Sequence, residues 1–244
     1  MIKILHPFLR YSNKDAIHNP IQIFLYAIAY PIALILNKIK LSPNLVTIIS
    51  TIFAVFAFVS LIKSSLFLFY IFWGVSYILD YVDGTLARMI NKVGRNALRI
   101  DHVSDHIKVI LILLGFGIYY ECQELWILSF LASGSFLFYS MLNHDLSSNI
   151  KLSQFKFRDS QKEIYENNSI KYLRENLLKK FSSIRYIYRF IFGTFYLING
   201  HTLIIIFFIP IEYNYAWYLL LYFILICAVH ALHRLFLLST RPKV

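Results

Sequence analysis

The sequence predicts an all-α integral membrane protein, with six transmembrane helices preceded by an N-terminal interfacial helix. Three observations carry that expectation. Of the 244 residues, 58% are hydrophobic and only 15% charged, too little charge to cover a soluble surface. The apolar residues fall into runs long enough to cross a bilayer, which takes about 20 residues per helix. The lysines and arginines behind the net charge of +11 gather in alternate connections between those runs, as they do in membrane proteins of fixed orientation.

Residues 1 to 40 are expected to form a cytoplasmic N-terminus ending in a juxtamembrane amphipathic helix. The stretch from Pro20 to Lys40 is apolar, contains Pro31 and ends on Lys38 and Lys40. Proline inside a helix removes a hydrogen bond and breaks or kinks it. This stretch is therefore read as lying on the membrane surface. No long apolar core with a small-residue cleavage site opens the chain, so no removable signal peptide is expected.

Residues 41 to 244 are expected to form the six-helix membrane domain. Ser42 caps the first span, and Pro43 sits in its first turn, where proline costs nothing. That span runs from Leu45 to about Ile62, and Lys63-Ser64-Ser65 forms a tight turn. The second run covers Leu66 to Leu79 and continues into an acidic motif. The third covers Val103 to Tyr120, the fourth Leu125 to Leu142, the fifth Tyr188 to Pro210 and the sixth Tyr213 to Leu238. A basic cytoplasmic segment, about 144 to 186, separates the fourth from the fifth and is longer than a simple connector. It suits an amphipathic surface helix or a cover over an acceptor site.

Charge sets the orientation. With the N-terminus in the cytoplasm, the inside segments hold Lys3, Arg10, Lys14, Lys38 and Lys40, then Arg88, Lys92, Arg95 and Arg99. They also hold ten Lys and Arg residues from Lys151 to Arg189, and Arg234, Arg241 and Lys243. The outside turns hold Lys63, Glu121, Glu124 and Glu212. Both termini and the acidic motif then face the cytoplasm of a cell inner or plasma membrane. The basic charge is explained by topology and an anionic leaflet, and no nucleic-acid partner is expected. The sequon Asn167-Asn168-Ser169 carries no meaning on that side. Cys122 and Cys227 form no metal-ligand or disulfide pattern and read as free buried thiols.

The chemistry lies in Asp80-Tyr81-Val82-Asp83-Gly84-Thr85-Leu86-Ala87-Arg88 and Asp101-His102-Val103-Ser104-Asp105. The chain has 13 acidic residues, and four of them fall within these 26 positions at a membrane edge. Ionisable groups at that depth are costly and mark functional sites. Asp80 and Asp83 share one helix face, as do Asp101 and Asp105, and a short basic loop lets the two faces meet. Four unpaired carboxylates in one place repel each other, and bound cations remove the conflict. Oxygen-only ligands suit Mg²⁺ or Mn²⁺, and two such ions form a clamp for phosphoryl transfer. Gly84 and Ala87 clear one ridge of the helix so that a flat ring or a diphosphate can approach the backbone. Arg88 is placed to neutralise a phosphate oxygen.

These residues resemble the CDP-alcohol phosphotransferase (CDP-alcohol phosphatidyltransferase) family. Its pattern, D-x-x-D-G-x-x-A-R followed after about eight residues by G-x-x-x-D-x-x-x-D, is matched at Asp80, Asp83, Gly84, Ala87, Arg88, Asp101 and Asp105. Ala97 stands where the family has its second glycine. Pro43-Asn44-Leu45-Val46-Thr47 looks like the family's P-N-x-x-T at the start of the first span. The resemblance extends over about residues 20 to 240, although only these two motifs are specific. It implies six spans, a homodimer, and transfer of a phosphoalcohol group from a CDP-alcohol to an acceptor hydroxyl with release of CMP. It also implies that Asp80, Asp83 and Asp101 hold two metal ions, and that Asp105 touches the second ion and acts as general base. Gly84, Ala87 and Arg88 would line the CDP site, with Asn44 and Thr47 near the nucleotide. CDP-diacylglycerol is one candidate donor, and the acceptor is an alcohol or phospho-alcohol.

Lys108 follows Asp105 by one turn, and a lysine buried there is expensive unless paired, which makes it a site candidate. Arg185 and Arg189 share a face at the start of the fifth span and are candidates for an acceptor-phosphate pocket, beside the plainer reading of positive-inside anchors. His102, His106, His230 and His233 read as polar interfacial residues rather than ligands. An intramembrane prenyltransferase also uses aspartate-rich helices, but it keeps its two acidic motifs far apart in sequence. A transporter would spread polar residues over the later spans, which here are almost purely apolar.

Overall fold

The computed structural model describes residues 20–90, 95–158 and 211–239. All the secondary structure in them is helical. In chain order the helices are α1 (Pro20–Lys38), α2 (Pro43–Ile62), α3 (Leu66–Met89), α4 (Arg95–Tyr119), α5 (Gln123–Arg158) and α6 (Tyr213–Ser239). Five stretches among the described residues are long and apolar enough to cross a membrane: Pro43–Ile62, Leu66–Met89, Ile100–Tyr119, Gln123–Leu142 and Tyr213–Phe236. The expected span from Tyr188 to Pro210 lies outside the described residues.

The helix boundaries follow from local chemistry. Ser42 has extended backbone and its side chain accepts from the Leu45 amide at 3.3 Å, with Pro43 as the first helical residue of α2. Three connections end their helices in the same way, with one residue in the left-handed region: Lys40 (φ 57°), Ser64 (φ 52°) and Glu121 (φ 50°). After α1, the Lys40 amide donates to the Asn37 carbonyl and the Leu41 amide to Leu36, both at 3.0 Å. After α2, Ser64 donates to Leu61 and Ser65 to Ser60, both at 2.9 Å. These paired bonds satisfy carbonyls that a helix end leaves open and turn the chain back at once.

At three places the helices are more continuous than the apolar runs alone would indicate. Pro31 does not break the first apolar stretch, since α1 runs through it without interruption. One intrahelical bond is lost there, but Ala29 and Ala33 are fully buried against Val46, Val82 and Leu86 of α2 and α3, and that packing holds the helix together. The third span is found at Ile100–Tyr119, close to the expected Val103 to Tyr120, and its helix starts earlier, at Arg95, so Asp101 and Asp105 both lie on regular helix. The fourth span is found at Gln123–Leu142, as expected, and its helix continues beyond it to Arg158, with no glycine or proline to interrupt residues 143–158.

α2 packs on both α3 and α4, α5 packs on α4 and α6, and α1 packs on α3. The main core joins Ala54, Ala57 and Leu61 of α2, Phe69 and Trp73 of α3, Ile112, Leu113 and Phe116 of α4, and Leu220 and Phe223 of α6. Small residues bring α2 and α3 close enough for reciprocal hydrogen bonds. Ser50 donates to the Ser76 carbonyl at 2.9 Å, and Ser76 donates to the Ser50 carbonyl at 2.8 Å. Such polar pairs hold helices together where lipid gives no hydrophobic drive. The outward faces carry large apolar side chains such as Phe67 (74% exposed), Phe130 (70%) and Met141 (68%), as a lipid-facing surface requires. Tyr213, at the start of α6, touches Cys122 and Glu124 at the start of α5. α5 and α6 therefore run in the same direction. Both cysteines are free, but Cys122 is half-exposed rather than buried as expected.

Gly117 lies at a close approach of α4 to α5. A Cβ there would stand 3.2 Å from the Trp126 Cα and 3.3 Å from the Ser129 Cβ, and the former is backbone that cannot swing away. Gly117→Val is expected to destabilise the fold by about 1–3 kcal/mol. A lower thermal midpoint of the detergent-purified variant is the readout, and an unchanged midpoint contradicts the packing described.

Candidate active site

The acidic motif residues come from two helices. Asp80, Asp83, Gly84, Ala87 and Arg88 all lie on the last turns of α3, and Asp101, Asp105 and Lys108 on the first half of α4. A carboxylate oxygen from each of Asp80, Asp101 and Asp105 lies within 4.8 Å of the other two. The i, i+4 spacing of Asp101 and Asp105 and the position of Asp80 on the facing helix bring these three of the four expected carboxylates together. The donor set is oxygen only, and no histidine joins it among the described residues. Three converging carboxylates fit a hard divalent cation of the Mg²⁺ or Mn²⁺ type.

Asp83 is not part of that trio. It is buried, and its Oδ2 accepts from the Thr47 hydroxyl of α2 at 2.6 Å. Thr47 thus meets a motif aspartate directly, which gives the P-N-x-x-T segment a structural link to the acidic motif. One turn further along α2, Thr51 and Ser104 share a hydrogen bond of 2.5 Å, which ties α2 to the turn between Asp101 and Asp105. α2 is therefore the helix that fixes both acid-bearing segments. Thr47→Val should leave a buried carboxylate without its donor and cost about 1–3 kcal/mol, while Thr47→Ser should cost little. Thermal melting of the two variants separates these outcomes, and equal midpoints would contradict the role given to the hydroxyl.

Lys108 is buried and pairs with two of the trio. Its ammonium contacts Asp80 Oδ1 and lies 3.3 Å from Asp105 Oδ1. The pairing expected of a buried lysine is therefore present, and it is made with the aspartates themselves.

Arg88 folds back over its own helix. A Cβ at Gly84 would stand 3.3 Å from Arg88 Nη2, so the glycine leaves room for the guanidinium. The guanidinium donates to the Tyr26 hydroxyl at 3.3 Å and lies 5.4 Å from the centre of that ring. Tyr26 in turn packs edge-on against Tyr81, ring centres 5.0 Å apart. α1 thereby reaches the acid-bearing end of α3 and holds Arg88 from outside. Asn44 and Ala87 are half-buried. Arg185 and Arg189 lie outside the described residues, as does the side chain of Ala97.

His106 bridges two helices instead of binding the trio. Its Nδ1 contacts the His102 carbonyl and its Nε2 the Ser140 hydroxyl of α5. His230 lies against Tyr139, ring centres 5.9 Å apart. The sequence reading missed Tyr26, Thr51, Ser104 and Ser140. Two of them carried a usable signal, since Thr51 follows Thr47 by one turn and Ser104 sits inside the second acidic motif.

Residues 40–154 match the family described as CDP-alcohol phosphatidyltransferase. The matched segment contains both acidic motifs and the Pro43 to Thr47 segment, and it is shorter than the 20 to 240 over which the resemblance was read. No curated protein and no solved structure matches the chain.

Proposed function

We propose, from the match of residues 40–154 to the CDP-alcohol phosphatidyltransferase family, that this protein is a divalent-metal-dependent enzyme of the membrane that moves a phosphoalcohol group from a CDP-alcohol to an acceptor hydroxyl. The observation that carries the proposal is the meeting of Asp80, Asp101 and Asp105 oxygens within 4.8 Å at facing helix ends. In this reading Asp80, Asp83, Asp101 and Asp105 hold two Mg²⁺ or Mn²⁺ ions. When bound, the ions spread the charge of the diphosphate and make CMP a better leaving group.

The protein's own groups divide the remaining work. Arg88, with Gly84 and Ala87 beside it, faces the CDP phosphates, and Asn44 and Thr47 lie toward the nucleotide. Asp105 takes the proton of the acceptor hydroxyl. The acceptor oxygen bonds to the phosphorus that carries the alcohol, the bond from that phosphorus to the bridging oxygen breaks, and the electron pair leaves with CMP. Lys108, Arg185 and Arg189 belong to the acceptor side, Lys108 acting there through its contacts with Asp80 and Asp105. Positive-inside charge supports a cytoplasmic site and cytoplasmic termini, with α1 on the membrane surface and the active form a homodimer in an inner or plasma membrane. CDP-diacylglycerol is a donor that a site open to lipid would accept, and phospholipid or related polar-lipid synthesis is the corresponding role.

The test is CMP release by the purified protein in detergent with Mg²⁺ or Mn²⁺, over a panel of CDP-alcohols and acceptors. Acceptor-dependent CMP names the substrates. Failure with every pair, together with no metal-dependent CDP binding, overturns the proposal.

A further inference from the structure

Lys108 is 3% exposed, and its charge lies among the carboxylates that the proposed ions require. It reaches Asp80 across the gap from α4 to α3 and Asp105 on its own helix. Those two aspartates are also members of the trio whose oxygens approach within 4.8 Å of one another. The same oxygens therefore serve an ammonium in this structure and are the natural donors for a divalent cation.

We propose that Lys108 is a positioning residue, a tethered counter-ion that holds Asp80 and Asp105 together and competes with a divalent cation for them. The inference rests on the metal-dependent reading above. Its physical basis is charge. Three carboxylates this close repel, and with no ion bound the ammonium offsets part of that repulsion. When an ion enters, the same positive charge opposes it, and the ion must take oxygens that Lys108 holds. Lys108 thereby stabilises the ion-free site and weakens the hold on the ion. A lysine that merely filled space or braced two helices would have the first effect without the second. A buried ammonium of this kind is costly to leave unpaired, which explains why it sits on two acids at once.

The test is titration of Mn²⁺ into the purified full-length protein, without nucleotide, followed by the electron paramagnetic resonance of free Mn²⁺. Lys108→Met is expected to bind Mn²⁺ about tenfold more tightly than wild type or better, and Lys108→Arg within about threefold of it. In parallel melts the ion-free Lys108→Met protein should have a lower midpoint than wild type, and Mn²⁺ should raise it by more. A Met variant that folds only when Mn²⁺ is present also supports the inference, since the ion then replaces the missing charge. Unchanged or weaker Mn²⁺ affinity in a folded Met variant overturns it, as does a variant that fails to fold with or without Mn²⁺. If wild type itself binds no Mn²⁺ saturably, the metal-dependent reading falls and this inference with it. Saturable wild-type binding with unchanged variant affinity removes the inference alone.

Discussion

Asp105→Asn is expected to release CMP about 10²–10⁴-fold more slowly than wild type, the range for loss of a general base. The substitution is nearly isosteric, so it removes charge and basicity with little change of shape. Asp105 is the trio member that follows Asp101 by one turn on α4 and lies 3.3 Å from Lys108, an approach that an amide oxygen still accepts. Packing around it should survive, because Thr51 holds the neighbouring Ser104 from α2 independently of the carboxylate. The rate is read as acceptor-dependent CMP at saturating metal. CDP binding and thermal midpoint, measured on the same sample, separate a chemical defect from a structural one. A variant that binds CDP and releases CMP within about tenfold of wild type would deny Asp105 the role of base and move it to a purely electrostatic one.

Much of the site was legible because it depends on spacing within single helices. Asp80 with Asp83, and Asp101 with Asp105, needed only helical periodicity, and the start of α2 needed only Ser42 and Pro43. What could not be read depends on contacts between helices. Nothing local says that Tyr26 of α1 will meet Arg88 of α3, or that Thr47 of α2 will donate to Asp83. Lys108 was recognised as a buried charge in need of a partner, but sequence gives no distance to Asp80 on another helix. The continuity of the helices has a related cause. Pro31 weakens α1 locally, and only its burial against α3 shows that tertiary packing outweighs the lost bond. The apolar run of α5 ends at Leu142, as its span was read, and the helix goes on to Arg158 because polar residues without glycine or proline continue a helix readily.

Removal of divalent cations is expected to abolish CMP release, by about 10³-fold or more, given that metal stabilisation of a transferring phosphoryl group is worth several kcal/mol and each 1.4 kcal/mol is a factor of about ten. Chelation with EDTA followed by readdition of Mg²⁺ or Mn²⁺ should switch the activity off and on in one sample. Asp80→Asn should mimic chelation without added chelator. It removes the α3 member of the trio and one of the two partners of Lys108, so the variant should lose metal-dependent CDP binding as well as turnover. The two treatments differ in one respect that makes them informative together. Chelation leaves Lys108 on both its acids, whereas Asp80→Asn leaves Asp105 as its one remaining charged partner of the pair, so the variant should melt at a lower temperature than even the chelated wild type. Undiminished CMP release in EDTA would mean that the trio serves Lys108 and the fold of α3 on α4, and that the phosphate charge is met by Arg88 and other cations of the chain. In that case the family pattern would be present here with its metal chemistry replaced, and the Asp105→Asn result would have to be explained by proton transfer alone.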